Sequence, residues 1–251
     1  MNFSLKNQVA VITGGDTGIG YAIAKSMHEA GATVIALGLS SEAEGKKAMS
    51  NLGANTDYFE YNVTETGKAQ DMVDQIIEKY GYISILMNNA GNHCKKPVEE
   101  MTVEDYVSVL NVHLVGAFAL SKAVIPHMKE RRDGSILFQA SMTSYIGQPN
   151  VAGYSTAKAG YLGLMHTLAS ECGTFGVRVN AIAPGWIDTP IFHKATDNDP
   201  PRLAKIMGRI PMGKVGQGED IGMAAVFLSS SAARYITGVC LPVDGGALIG
   251  F

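Results

Sequence analysis

Two tyrosine–lysine pairs spaced four residues apart, Tyr21–Lys25 and Tyr154–Lys158, are the first groups able to do chemistry. On a helix that spacing puts both side chains on one face, with Cβ atoms ~6 Å apart. An ammonium that close favours tyrosinate and draws a phenol pKa down from its usual ~10. Such a tyrosine can protonate a carbonyl oxygen or deprotonate an alcohol. A second feature is the run Thr13-Gly14-Gly15-Asp16-Thr17-Gly18-Ile19-Gly20. Gly14 permits a tight turn, Gly18 lets backbone approach a pyrophosphate, and Gly20 allows close helix–strand packing. A helix N-terminus at Ile19 would then offer amides to phosphates. In a chain with 29 glycines such a run means little alone. Its position between an apolar strand and an amphipathic helix is what makes it a dinucleotide site. His93, Cys94 and His113 have no metal-site spacing, and no metal is expected.

These groups need a scaffold, and the hydrophobic pattern supplies one. Val9–Thr13, Thr33–Leu37, Tyr58–Tyr61, Ile83–Met87, Ser135–Gln139, Arg178–Ala183 and Val239–Val243 read as strands. Several are apolar on both faces, as in a covered parallel sheet. Helical periodicity covers Ile19–Ala30, Ser41–Asn51, Thr64–Tyr80, Thr102–Lys129, Tyr154–Gly173 and Glu219–Ser229, with Pro126 expected to kink or shorten the fourth. The alternation predicts a single α/β domain over residues 1–251, a doubly wound parallel seven-stranded sheet with helices on both faces, of Rossmann type. Tyr154 then opens a helix, and Tyr21 falls in the helix after the glycine run, where its pairing with Lys25 is structural. The proline-rich stretch 185–218 reads as a substrate lid, with a plain linker as the alternative.

Composition narrows the partners. The chain has 251 residues, 46% of them hydrophobic, and a net charge of −3. Near-balanced charge gives no reason to expect nucleic acid or an anionic membrane as partner. No apolar run approaches the ~20 residues of a membrane span, and no signal peptide fits the polar N-terminus. Three cysteines without metal spacing suit free thiols in a reducing compartment, so a cytoplasmic location is expected.

The spacing Gly-x3-Gly-x-Gly, the segment Asn88-Asn89-Ala90-Gly91 after the fourth strand and Tyr154-Ser155-Thr156-Ala157-Lys158 together resemble the short-chain dehydrogenase/reductase family, over essentially the whole chain. The resemblance implies an NAD(P)-dependent oxidoreductase that interconverts a secondary alcohol and a ketone. It implies a catalytic set of Asn111, Ser141, Tyr154 and Lys158, Ser141 lying thirteen residues before Tyr154. Asn111 would bend its helix and hold a proton-relay water. Cofactor contacts would come from Gly14, Asp16, Thr17, Gly18, Ile19, Gly20, Leu39, Asn62, Val63, Asn89, Ala90 and Gly91. Tyr154, Lys158 and, beyond the sixth strand, Pro184, Gly185, Ile187 and Thr189 complete that set.

NAD is favoured over NADP. The acidic residue that NAD-specific members carry at the end of the second strand is absent, since Gly38, Leu39 and Ser40 stand there. No cation replaces it to meet a 2′-phosphate, and Asp16 would repel one. For substrate, His93, Lys95, Lys96, His193, Lys194, Arg202, Lys205 and Arg209 in predicted loops suit a hydroxylated anion such as a sugar acid, although surface loops are polar in any case. The glycine run, Ala140-Ser141-Met142 and Ala181-Ile182-Ala183-Pro184-Gly185 resemble the gluconate 5-dehydrogenase and 2-dehydro-3-deoxygluconate dehydrogenase branch. That branch often carries two arginines where Cys94 and Lys95 stand here. A 3-oxoacyl carrier-protein reductase using NADPH is the alternative, and a non-catalytic dinucleotide sensor a remote one. By family analogy, and from the small residues Ala157, Ala159, Gly160 and Gly163, a homotetramer is expected.

Overall fold

The fold, a computed structural model, describes residues 3–250; Met1, Asn2 and Phe251 lie outside the described residues. Period-two alternation in the strands sorts side chains to opposite faces. Val9 and Val11 enter one apolar layer while Ala10 and Ile12 enter the other, and Ile35/Leu37 and Val34/Ala36 divide the same way. The result is a single parallel sheet in the order β3-β2-β1-β4-β5-β6-β7. Its strands are β1 (Val9–Thr13), β2 (Thr33–Gly38), β3 (Thr56–Glu60), β4 (Ile85–Asn88), β5 (Gly134–Gln139), β6 (Val177–Pro184) and β7 (Cys240–Val243). Helices α1 (Gly18–Glu29), α2 (Glu42–Ser50) and α9 (Gly218–Ser229) cover one face. The helices α3 (Ala69–Tyr80), α4 (Val103–Leu110), α5 (Gly116–Arg131) and α6 (Ala152–Cys172) cover the other. Strand order reverses between β1 and β4, so a crevice opens at the strand C-termini there, the usual ligand position in such sheets.

Three expectations change. Pro126 does not shorten its helix, one of the two effects expected of it: α4, a π-turn at Asn111–Val115 and α5 run on continuously as Val103–Arg131. Pro126 and Lys122, whose carbonyl loses its partner, both lie on the exposed side, where water can satisfy that carbonyl. This helix is also long and apolar enough to cross a membrane, contrary to the reading that no stretch approaches that length. It lies against the sheet instead, burying Val109, Leu120, Val124 and Met128. The proline-rich stretch is not irregular either. It forms α7 (Pro190–Thr196), capped by Thr189 Oγ1, and α8 (Pro200–Arg209), capped by Asp199. Its two ends are joined where Asp188 N–H donates to the Gly216 carbonyl at 2.8 Å and Gly216 N–H to the Trp186 carbonyl at 2.9 Å. Beneath it Met142, Ile206, Ile210 and Ala247 make a separate small core beside the Ser141 loop, with Trp186, Phe192 and Met207 packed on it.

Candidate active site

The glycine loop is built for close approach. Gly14 and Gly18 have φ of +63° and +53°, and the space that a Gly18 side chain would fill is open. At Gly20 a Cβ would stand 1.9 Å from the Gly14 carbonyl oxygen, so only glycine lets α1 begin there. Thr17, at the N-cap, makes no side-chain cap bond, leaving the first amides of α1 free to meet an anion. The neighbouring segment staples this loop. Thr13 Oγ1 accepts from the Asn89 and Ala90 amides, both at 2.9 Å, and Asn89 Nδ2 donates to the Thr13 and Gly14 carbonyls at 2.9 and 3.3 Å. Asn89 therefore shapes the cradle with its side chain. A cleft of about 410 Å³ runs from here over the end of β2, lined by Asp16, Thr17, Leu39, Asn62, Val63 and Ala90 among others. A polyanionic dinucleotide fits these groups, and the hydride would be its contribution when bound.

Beyond the end of β5 the second set of residues converges. Ser141 follows the strand, and its Oγ accepts the Thr143 amide at 3.1 Å and is hydrogen-bonded to Tyr154. Lys158 is 2% exposed; its Nζ donates to the Gln139 carbonyl and lies 5.4 Å from the centre of the Tyr154 ring. Ser144 Oγ donates to the Lys158 carbonyl at 2.7 Å and ties the Ser141 loop to α6. Burial draws the Lys158 ammonium down to about 7. Burial also pushes the Tyr154 phenol up, opposed by the Ser141 hydrogen bond. The sequence expectation that Lys158 lowers this phenol is thus not met in the protein alone. The ammonium sits over the ring and bonds a carbonyl, and near pH 7 it is itself about half neutral. A phenol kept protonated is suited to donating to a carbonyl.

Of the four residues expected to act together, the structure brings together Ser141, Tyr154 and Lys158. Asn111 is exposed at the start of the π-turn and makes no hydrogen bond to the other three. His113, two residues on, is buried against Tyr154 instead, with ring centroids 5.3 Å apart at 84°. His93 stacks on Tyr154 from another side, with centroids 4.7 Å apart. His93 was expected on the substrate side, whereas a place for His113 and for the Gln139 carbonyl beside Tyr154 and Lys158 was not read from sequence. For His113 a signal existed: a histidine embedded in the apolar run Val112–Val115. Thr189, expected at the nicotinamide, uses its Oγ1 to cap α7 by accepting the Phe192 amide at 3.2 Å, and Ile187 is buried beside Gly216. Among the expected cations, Lys96 is paired with Asp105 at 2.6 Å and Arg209 donates to the Ala247 carbonyl. His193 bridges Asp188 and Asp197. The Tyr21–Lys25 pair is structural as expected, Lys25 being tied to Glu219 at 2.7 Å. Among the described residues no cluster of metal-ligating side chains occurs.

A family model described as enoyl-(acyl carrier protein) reductase matches residues 14–247. The chain belongs to the short-chain dehydrogenase/reductase family and is an oxidoreductase. It is 36% identical to the 3-oxoacyl-[acyl-carrier-protein] reductase FabG of Thermotoga maritima, over 98% of this chain and 99% of that one. It is 34% identical to the 2-dehydro-3-deoxy-D-gluconate 5-dehydrogenase of Formosa agariphila, over 98% and 94%. Among solved structures, a gluconate 5-dehydrogenase from Burkholderia cenocepacia in complex with NADP and tartrate is 29% identical. It superposes with a TM-score of 0.95 over 100% of this chain and 98% of that one.

Proposed function

We propose that the protein is an NAD-linked dehydrogenase of a hydroxylated, anionic substrate of the sugar-acid type, interconverting its secondary alcohol and ketone. The observation that carries this is the Ser141–Tyr154–Lys158 cluster, set beside the glycine cradle and rimmed by polar groups. The Ser141 hydroxyl, held by Thr143, orients a carbonyl oxygen against the Tyr154 phenol. Tyr154 donates its proton to that oxygen during reduction, and removes the alcohol proton in the reverse direction. Lys158, enclosed beneath the ring, restores the phenol proton. His93 and the exposed Lys95, which makes no ion pair among the described residues, supply donors for hydroxyl and carboxylate groups at the entrance. Relatives that act on gluconate derivatives, one of them holding tartrate, support this substrate class. The stretch 185–218, fastened at both ends and resting on its own small core, is read as the lid over that substrate.

For the cofactor, support for NAD comes from Asp16. Its carboxylate reaches over the end of β2, where Ser40 Oγ donates to Oδ2 at 2.6 Å. Oδ1 lies 2.5 Å from where a Gly38 Cβ would stand. The glycine loop thereby supplies the carboxylate that β2 itself lacks, at the place where a ribose hydroxyl would be bound and a 2′-phosphate repelled. The Tyr58 hydroxyl, pushed up to about 12 by burial and by the Asp16 charge, donates to the Ser40 carbonyl at 2.7 Å and steadies the arrangement. Some related structures hold NADP, so the preference is open to direct test. Oxidation of NADH and of NADPH by the purified protein with keto sugar acids, and with an acetoacetyl thioester, decides both points. NADH with a keto sugar acid is the expected pair. NADPH with the thioester would replace this reading by a carrier-protein reductase, the reading favoured by the FabG relatives. Assembly as a homotetramer is also proposed: Phe118 and Val115 are exposed on the long helix, and Ala159 and Gly163 leave an open face on α6. The free cysteines suit a cytoplasmic site.

A further inference from the structure

His113 occupies an unusual position for a histidine. It is 2% exposed, inside an otherwise apolar stretch, and its ring lies nearly perpendicular to that of Tyr154. Nε2 lies 2.8 Å from the Asn92 carbonyl oxygen and 3.1 Å from the Asn92 amide nitrogen. The shorter contact assigns the proton to Nε2, which leaves Nδ1 with its lone pair. Nδ1 is buried and has no protein partner. A buried acceptor without a donor costs stability, which gives it a claim to a role in the site. The surroundings are organised around this ring. A Cβ on Gly91 would strike His113 Cε1 at 2.3 Å, and the Tyr161 hydroxyl donates to the His113 carbonyl at 2.5 Å. The titratable groups facing it are Lys158, His93 and Tyr154. Burial first, and the Lys158 charge second, hold the imidazole far below the ordinary histidine range, so it stays neutral at any working pH.

We propose that His113 is the positioning residue of the Tyr154–Lys158 pair, a buried imidazole that packs perpendicular to the phenol ring and offers Nδ1 as a hydrogen-bond acceptor on the proton path to Lys158. The inference rests on Tyr154 being the acid. In reduction the Tyr154 O–H bond breaks as the substrate O–H bond forms. Lys158 returns a proton to the phenolate, and a proton from solvent restores the ammonium. Nδ1 accepts the hydrogen bond of the group carrying that last proton and itself neither gains nor loses one. The π-turn explains the choice of residue. Asn111 and His113 lie about half a turn apart, so only one of them can face Tyr154.

Four variants test this in steady-state assays with NADH and the best substrate, alongside NADH binding by fluorescence. Tyr154→Phe should abolish turnover with binding intact; if it does not, the underlying reading fails, whatever His113 does. His113→Leu should lower kcat by roughly tenfold to a hundredfold. KM and NADH affinity should hold, and the solvent deuterium isotope effect on kcat should rise as proton return becomes limiting. His113→Asn, which restores an acceptor near Nδ1, should recover most of kcat and the wild-type isotope effect. Asn111→Ala should keep wild-type kcat. A folded His113→Leu with unchanged kcat and isotope effect overturns the proposal, as does an Asn111→Ala loss matching that of Tyr154→Phe. If His113→Leu does not fold, His113→Asn decides: kcat within about fivefold of wild type supports the role, and a larger loss refutes it.

Discussion

Lys158 should make the protein less stable at neutral pH than it would be without it. The ammonium is enclosed and its pKa falls from 10.5 to about 7. Between those values the unfolded chain binds one more proton than the folded one, so stability rises with pH across that window. Linkage puts the cost near 4 kcal/mol at pH 7 and near 2 kcal/mol at pH 9, a gain of about 2 kcal/mol between the two. Lys158→Met keeps the side chain's bulk and removes the charge. At pH 7 its unfolding free energy should exceed that of the wild type by about 2–4 kcal/mol, and the gap should narrow by about 2 kcal/mol at pH 9. Tyr154 does not confuse the comparison between pH 7 and pH 9, because burial raises a phenol whose ordinary titration already lies above pH 9. Urea unfolding at pH 7, 8 and 9 with the two proteins side by side is the assay. Parallel curves would refute the argument, because they would mean that the Gln139 carbonyl and the two aromatic faces stabilise the ammonium as well as water does. With Lys158 in its proposed role the variant should be inactive throughout, and the stability gained measures what the buried ammonium costs.

Three further outcomes follow from the same geometry. Gly20→Ala puts a methyl 1.9 Å from the Gly14 carbonyl and 2.5 Å from Asn89 Nδ2, so it should lose about 1–3 kcal/mol of stability and most NADH affinity, measured by unfolding and fluorescence titration. Asp16→Ser removes a charge that would repel a 2′-phosphate, and should move the NADPH-to-NADH affinity ratio toward NADPH by about tenfold or more in binding titrations. His113 is held neutral, its pKa lowered from 6.5 to about 3, so the unfolded chain takes up its proton first and stability falls as pH drops below 6.5. The loss from this group should be about 2 kcal/mol at pH 5, and His113→Asn should lack that part of the acid limb in denaturant melts at pH 7 and pH 5.

What could be read from sequence was whatever depends on near neighbours along the chain. Val9–Thr13 alternates between two apolar layers, and Thr13 to Gly20 needs its glycines within one turn, so the sheet and the cradle were both legible. Tyr154 and Lys158 share a helical face by spacing alone, but the sign of the Tyr154 shift did not follow. That sign comes from burial of the phenol by packing remote in sequence, while Lys158 is bonded to the Gln139 carbonyl nineteen residues earlier. The two features that change the reading of the site arise from contacts remote in sequence. Asp16 and Gly38 belong to different βα units, and only the fold shows that a carboxylate from one occupies the space left vacant by the other. Asn111 was assigned by resemblance, with a bend expected in its helix, and the form of that bend was not legible. At the π-turn the backbone hydrogen bond from Gly116 reaches back five residues to Asn111, so the usual i+4 phase no longer says which side chains share a face. An asparagine then points to solvent while a histidine is driven inward against Tyr154. That histidine fits only because position 91 has no side chain, a dependence that neither the helix nor the loop could reveal separately.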